Sequence, residues 1–104
     1  MSQHHSMDAV ALDPDKFKIR LENERVRVLE VQLAPGQSHA MHWHPRHLIY
    51  TLTSYRVRDT YPDGSTKEME RPAGEILWGD ELTHAAENIG DTPVHALIIE
   101  FKDA

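Results

Sequence analysis

The stretch Gly36-Gln37-Ser38-His39-Ala40-Met41-His42-Trp43-His44-Pro45-Arg46-His47 decides the reading of this chain, and a further histidine, His84, stands about forty residues beyond it. In an extended strand, residues i and i+2 point to the same face. His42 and His44 then present two imidazoles side by side. Neutral imidazole is the commonest protein ligand for zinc, copper, iron and nickel ions. Two donors at this spacing do not close a site. A third has to come from elsewhere in the fold, and His84 is the obvious donor to a mononuclear centre.

Working outward, the chain reads as short β-type runs broken by turn chemistry. Arg25 to Leu33 is rich in β-branched and apolar residues and stops at Ala34-Pro35-Gly36. Gln37 to His44 follows and ends at Pro45, which lacks a backbone donor. His47 to Asp59 is the longest such stretch, and Pro62-Asp63-Gly64 turns it into the polar run Thr66 to Glu70. Glu75 to Trp78, His84 to Ile89 and Val94 to Phe101 complete a set of about eight strands. That spacing of strands and turns is the pattern of an all-β sandwich or barrel. Only Asp13 to Leu21 reads as a possible helical turn. The expected core draws on Val26, Val28, Val31, Leu33, Ile49, Leu52, Ile76, Leu77, Trp78, Leu97, Ile99 and Phe101.

The chain has 104 residues, enough for one domain with its own core. The expected division is an N-terminal arm, residues 1–20, partly disordered, and a barrel domain, residues 21–104. There are no cysteines, which excludes zinc fingers, iron–sulfur sites and thiolate nucleophiles and fits a reducing, cytoplasmic setting. A net charge of −6 argues against nucleic-acid or membrane-surface partners. No apolar run approaches the length of a membrane span, and Met1 to Ala11 does not read as a secretory leader. His4-His5 reads as a mobile tail. No phosphate loop, nucleophile elbow or dinucleotide fingerprint is present.

Two segments together resemble the motifs of the cupin superfamily. Pro35-Gly36, five residues and His42-x-His44 are similar to the first motif. Gly74, followed ten residues on by His84-x-x-x-Asn88, is similar to the second. The resemblance runs over roughly residues 25–101 and is closest to small single-domain bacterial cupins. It implies a double-stranded β-helix, or jelly-roll, barrel of two antiparallel sheets. It also implies one divalent transition metal (Mn, Fe, Ni or Zn) inside the barrel, held by His42, His44 and His84. The family usually adds a Glu three or four residues past the second His; here those positions are His47 and Leu48, so His47 becomes the fourth candidate ligand. Gly79-Asp80-Glu81 stands where the family has Pro-x-Gly.

An all-imidazole set is neutral and leaves the full charge of the ion on the site, which favours anionic substrates. The resemblance implies either a metal-dependent enzyme, dioxygenase-like and acting on a small polar metabolite, or a non-catalytic metal- or small-molecule-binding protein serving as sensor or accessory factor. A homodimer is expected on the same ground. Of the remaining polar residues, His39 reads as a loop histidine and His95 and Asn88 as structural. Glu75 and Glu87 read as solvated carboxylates. Trp43 should point away from the two histidines beside it, with Tyr50 and Trp78 in the core or pocket wall.

Overall fold

Among the described residues, nine strands fold into two antiparallel sheets that face each other across a half-polar interior. The computed structural model describes residues 7–102. A four-residue helix, α1 (Ala9–Leu12), precedes β1 (Phe17–Glu22), β2 (Val26–Leu33), β3 (His42–His44), β4 (His47–Thr51) and β5 (Tyr55–Thr60). Then come β6 (Thr66–Arg71), β7 (Ile76–Gly79), β8 (Leu82–Asn88) and β9 (Val94–Phe101). One sheet runs β1-β2-β9-β4-β7 and the other β3-β8-β5-β6. This is the double-stranded β-helix expected from the resemblance. The His4-His5 pair lies outside the described residues.

Local chemistry explains the elements. β-Branched residues in β2, β4 and β9 fit a pleated surface. The β5–β6 hairpin closes on Pro62-Asp63-Gly64, where Gly64 takes φ 87°, a backbone that a side chain disfavours. The Asp63 carboxylate accepts from the Ser65 amide at 3.0 Å and fixes that turn. Asp8 caps α1 by accepting from the Ala11 amide.

The core lies on one face of each strand. Phe17, Leu29, Val31, Ala96, Ile98 and the α1 residue Ala9 form one buried cluster, and Leu33, Val57 and Val94 form a second. Fully burying a side chain the size of Leu29 contributes roughly 1.5–3 kcal/mol.

Three expectations are corrected. The possible helical turn at Asp13 to Leu21 is mostly strand: Phe17–Glu22 pairs with β2, and the helix sits earlier. The boundary drawn between residues 20 and 21 therefore falls inside β1, and the preceding segment packs on the barrel through Ala9. Only part of the expected core is inside. Val31 and Leu33 are buried, but Ile76 is 68% exposed, Trp78 59% and Leu52 39%. In β9 the buried set is Val94, Ala96, Ile98 and Glu100, so Leu97, Ile99 and Phe101 face outward. The reason is parity. A one-residue shift turns every side chain to the other face, and here the inward face carries polar residues near the site.

Towards β4 and β7, the outward face of the larger sheet is consequently apolar. Leu48 pairs with Trp78 and Ile99, Tyr50 pairs with Ile76, and the Trp78 ring stacks on Phe101 at 5.8 Å.

Candidate metal centre

β3 carries the first two histidines, and its alternation turns His42 and His44 inward while Trp43 lies on the other face, donating to Glu81. β3 pairs with β8 so that His42 stands directly opposite His84. Register, not sequence proximity, supplies the third imidazole. The ring centroids are 4.6 Å apart for His42–His44, 4.8 Å for His42–His84 and 6.0 Å for His44–His84. One ring nitrogen from each lies within 4.8 Å of the other two. Donors bound at about 2.1 Å to one ion are at most about 4.2 Å apart, so small ring rotations bring this set to bonding distance.

The second nitrogen of each ring has a defined neighbour. His42 Nδ1 donates to the Ala40 carbonyl at 2.8 Å, which leaves Nε2 with its lone pair, buried and without a protein partner. His44 Nδ1 donates to Glu100 Oε2 at 2.5 Å. His84 Nδ1 lies 3.0 Å from Asp59 Oδ2, close enough for an ion pair but off the angle of a hydrogen bond. Ligating histidines regularly hold their other nitrogen against a carboxylate or carbonyl in this way, fixing tautomer and ring orientation. Glu100 is itself held by Arg27, with Nε at 2.9 Å and Nη2 at 2.7 Å from Oε1. Arg27 reaches on to Asp8 at 2.5 Å. An Asp–Arg–Glu chain thus runs from the N-terminal segment to the back of His44.

The electrostatics favour neutral imidazoles. Burial first, then the neighbouring rings, push His42 down to about 3 and His44 well below its ordinary value. Neutral rings are the form that binds a metal. Burial pushes the Glu100 carboxyl up, and Arg27 pulls it back towards the ionised form.

His47 has a different position. It is buried on β4, and its ring centroid is 5.4 Å from that of His44, but it lies outside the group of three. Its Nδ1 donates to the Pro45 carbonyl at 2.7 Å, the same i−2 device seen at His42, so its Nε2 is also left free. The ring leans over Gly79, directly opposite on β7, where any Cβ would overlap the imidazole.

His39 is not a loop histidine at the surface. It is buried, its ring is 4.6 Å from His42 and 5.0 Å from Phe17, and its Nδ1 has no protein partner. Burial, with His42 next, pushes it down to about 2. Phe17 packs against His39, His42 and His44 and gives this side of the cluster an apolar wall.

The cluster opens into a barrel cavity of about 240 Å³, whose further lining includes Tyr55, Asp59, Tyr61, Met69 and Arg71. This chamber is smaller than the roughly 300–1,000 Å³ of pockets for drug-sized ligands. A largely buried, nitrogen-rich donor set beside an open chamber fits a divalent transition ion with room for a small ligand.

No protein-family model matches the chain, and no curated protein does. Solved structures do. A cupin domain protein from Bordetella pertussis Tohama I superposes with a TM-score of 0.77 at 25% identity, covering 84% of this chain and 92% of that one. The chain belongs to the cupin superfamily. A Klebsiella pneumoniae protein with a double-stranded β-helix domain shares the cupin fold, with a TM-score of 0.65 at 22% identity over 81% of this chain and 73% of that one. The Mn(II)-containing oxalate decarboxylase of Bacillus subtilis, a larger protein, matches at 30% identity and a TM-score of 0.56. That match covers 77% of this chain and only 22% of the decarboxylase, so this cupin spans about a fifth of that enzyme.

Sequence reasoning named His42, His44 and His84, and the fold brings these three together. It also named His47, which is buried on β4 with its ring centroid 5.4 Å from that of His44, and it missed Arg27, Asp59 and Glu100. Glu100 had a readable signal: it shares parity with Val94, Ala96 and Ile98, which cannot all face water without leaving a core half-built. The other polar residues divide. Asn88 is structural, donating to the Leu33 and Thr92 carbonyls, and His95 pairs with Glu30. Glu87 lies near Arg58, whereas Glu75 is half-buried with Oε1 lacking a partner.

Proposed function

We propose that this cupin binds one divalent transition metal (Mn, Fe, Ni or Zn) on His42, His44 and His84 and uses it in dioxygenase-like or related chemistry on a small polar metabolite. The carrying observation is the convergence of three imidazoles on one point, with the buried Nε2 of His42 lacking any protein partner. His47, with its Nε2 also free, is the fourth imidazole available beside them. When bound, the ion supplies Lewis-acid polarisation of a substrate oxygen and, if redox active, access to oxygen chemistry. The chain's own residues do the rest. Ala40, Glu100 and Asp59 hold the rings, Phe17 keeps water from one side, and the chamber confines the substrate.

The second reading is a non-catalytic metal or metabolite binder. The chamber beside the histidines argues against a purely structural ion, which needs no open space. Oxygen consumption by protein loaded with Fe(II) or Mn(II), screened over small metabolites, separates the two. Turnover that disappears in His84→Ala supports the enzyme; tight metabolite binding without turnover supports the binder.

We further propose that two copies pair through the apolar outer face of the larger sheet. Several charged groups on the larger sheet are matched within the chain, Arg20 and His95 to Glu30 and Lys102 to Glu22. The patch itself offers chiefly apolar surface, and a second copy of the same face complements it under two-fold symmetry. Among the described residues no helix is long and apolar enough to cross a membrane. The cysteine-free sequence fits the reducing cytoplasm as its place of work.

A further inference from the structure

Arg71 is the one arginine lining the cavity, and it lacks a carboxylate partner among the described residues. Arg20, Arg56 and Arg58 pair with glutamates on the surface, and Arg27 pairs inside with Asp8 and Glu100. The Arg71 guanidinium instead reaches the thioether of Met69, Nη2 to Sδ 3.3 Å. A thioether is a weak acceptor, and a guanidinium carries five donors in a planar fork. Nearly all of that donor capacity is unused by the protein.

Its place makes the unused capacity meaningful. Met69 and Arg71 occupy the inward face of β6, and Arg71 stands opposite Tyr55 of β5. Tyr55 and Tyr61 line the same cavity. Burial pushes the Tyr55 phenol up, while the nearby Arg71 charge pulls the other way. Two acids lie in this region. Asp59 is committed to His84, and Glu75, also near Tyr55, does not line the cavity. With a divalent ion on the histidines, the positive charge facing the chamber outweighs the single lining carboxylate, Asp59.

We propose that Arg71 is the anion anchor of the cavity and that the ligand is a small carboxylic acid. Its carboxylate docks on the Arg71 fork while another oxygen faces the histidine cluster. The chamber's size limits the acid to a small metabolite. This inference rests on the proposed metal-centred function and names the substrate class of that same site.

The test is calorimetric titration with pyruvate, malonate, succinate and benzoate, each beside its uncharged amide. It is run on metal-free and Mn(II)-loaded protein, for the wild type, Arg71→Lys and Arg71→Gln, with metal content measured for every sample. The expected result is that at least one carboxylate binds and its amide binds tenfold or more weakly. Arg71→Gln should keep the wild-type metal content and lose about ten- to a hundredfold in carboxylate affinity. Arg71→Lys should fall between the two. Carboxylate and amide binding alike, no binding by any acid of the panel, or wild-type affinity in Arg71→Gln would overturn the inference. A wild-type protein that takes up no metal defeats the proposed function instead, and the Arg71 dependence in the metal-free titrations still decides the anchor.

Discussion

Glu100 on β9 accepts a 2.5 Å hydrogen bond from His44 on β3, and so joins the two sheets across the barrel interior. Glu100 is 2% exposed, and its other oxygen is occupied by Arg27. One carboxylate thus fixes the tautomer of a candidate ligand and closes the ion pair of a half-buried arginine. Glu100→Gln keeps the shape but removes the charge. Metal affinity should fall by about ten- to a hundredfold, read by competition with a chelator. Stability should fall by about 1–3 kcal/mol in urea melts, because Arg27 loses one of its two acidic partners. Unchanged affinity would show that Glu100 only supports the fold.

Gly79 is required by His47. The ring of His47 lies where a Cβ on Gly79 would sit. Gly79→Ala should cost about 1–3 kcal/mol, the usual range for overpacking a filled interior. The cost should largely vanish when His47→Ala is added, because the clash then has no second party. A double-mutant cycle in urea measures this, and additive losses would contradict the packing described here.

Acid should unfold the metal-free protein early. His39 and His42 sit at about 2 and about 3 in the folded state, against an ordinary value of 6.5. Below pH 6.5 the unfolded chain therefore takes up protons that the folded chain refuses. Stability is fully present above that pH and is lost as pH falls towards 3, with a slope approaching ~1.4 kcal/mol per pH unit for each such histidine. Urea midpoints between pH 7.5 and 5 give the slope. A flat profile over that range would mean the rings are not held neutral.

Much of this was legible in the sequence, and the errors have a common origin. Turn signals at Pro35-Gly36, Pro62-Asp63-Gly64 and Pro72-Ala73-Gly74 delimit the strands, and the i, i+2 spacing of His42 and His44 places them on one face. The convergence of His84 needed the β3–β8 register, which spacing alone does not set. Strand parity was misread in β7 and β9 because both faces of those strands carry apolar residues. The usual guide, polar residues outward, fails where Glu100 and His47 are buried to serve the site. The strand character of Phe17–Glu22 was hidden for a similar reason: only Phe17 of its six residues is buried.

The outer face of Leu48, Tyr50, Ile76, Trp78, Ile99 and Phe101 should be covered in solution by a second chain. Light scattering should return twice the mass of one chain. The pair Ile76→Glu and Trp78→Glu, at positions 68% and 59% exposed, should return a monomer that keeps its metal content. A wild-type monomer at high micromolar concentration would refute the pairing.

The most direct test of the central claim is a metal count. Protein prepared without added metal is dialysed to equilibrium against Mn(II), Fe(II), Ni(II) or Zn(II) and assayed for bound ion. One equivalent per chain is expected for the wild type and none for His42→Ala or His84→Ala, each folded by near-ultraviolet circular dichroism. His47→Ala should bind more weakly yet still reach one equivalent. A wild-type protein that binds none of these ions, or a His84→Ala protein that binds them as tightly as the wild type, would contradict the account.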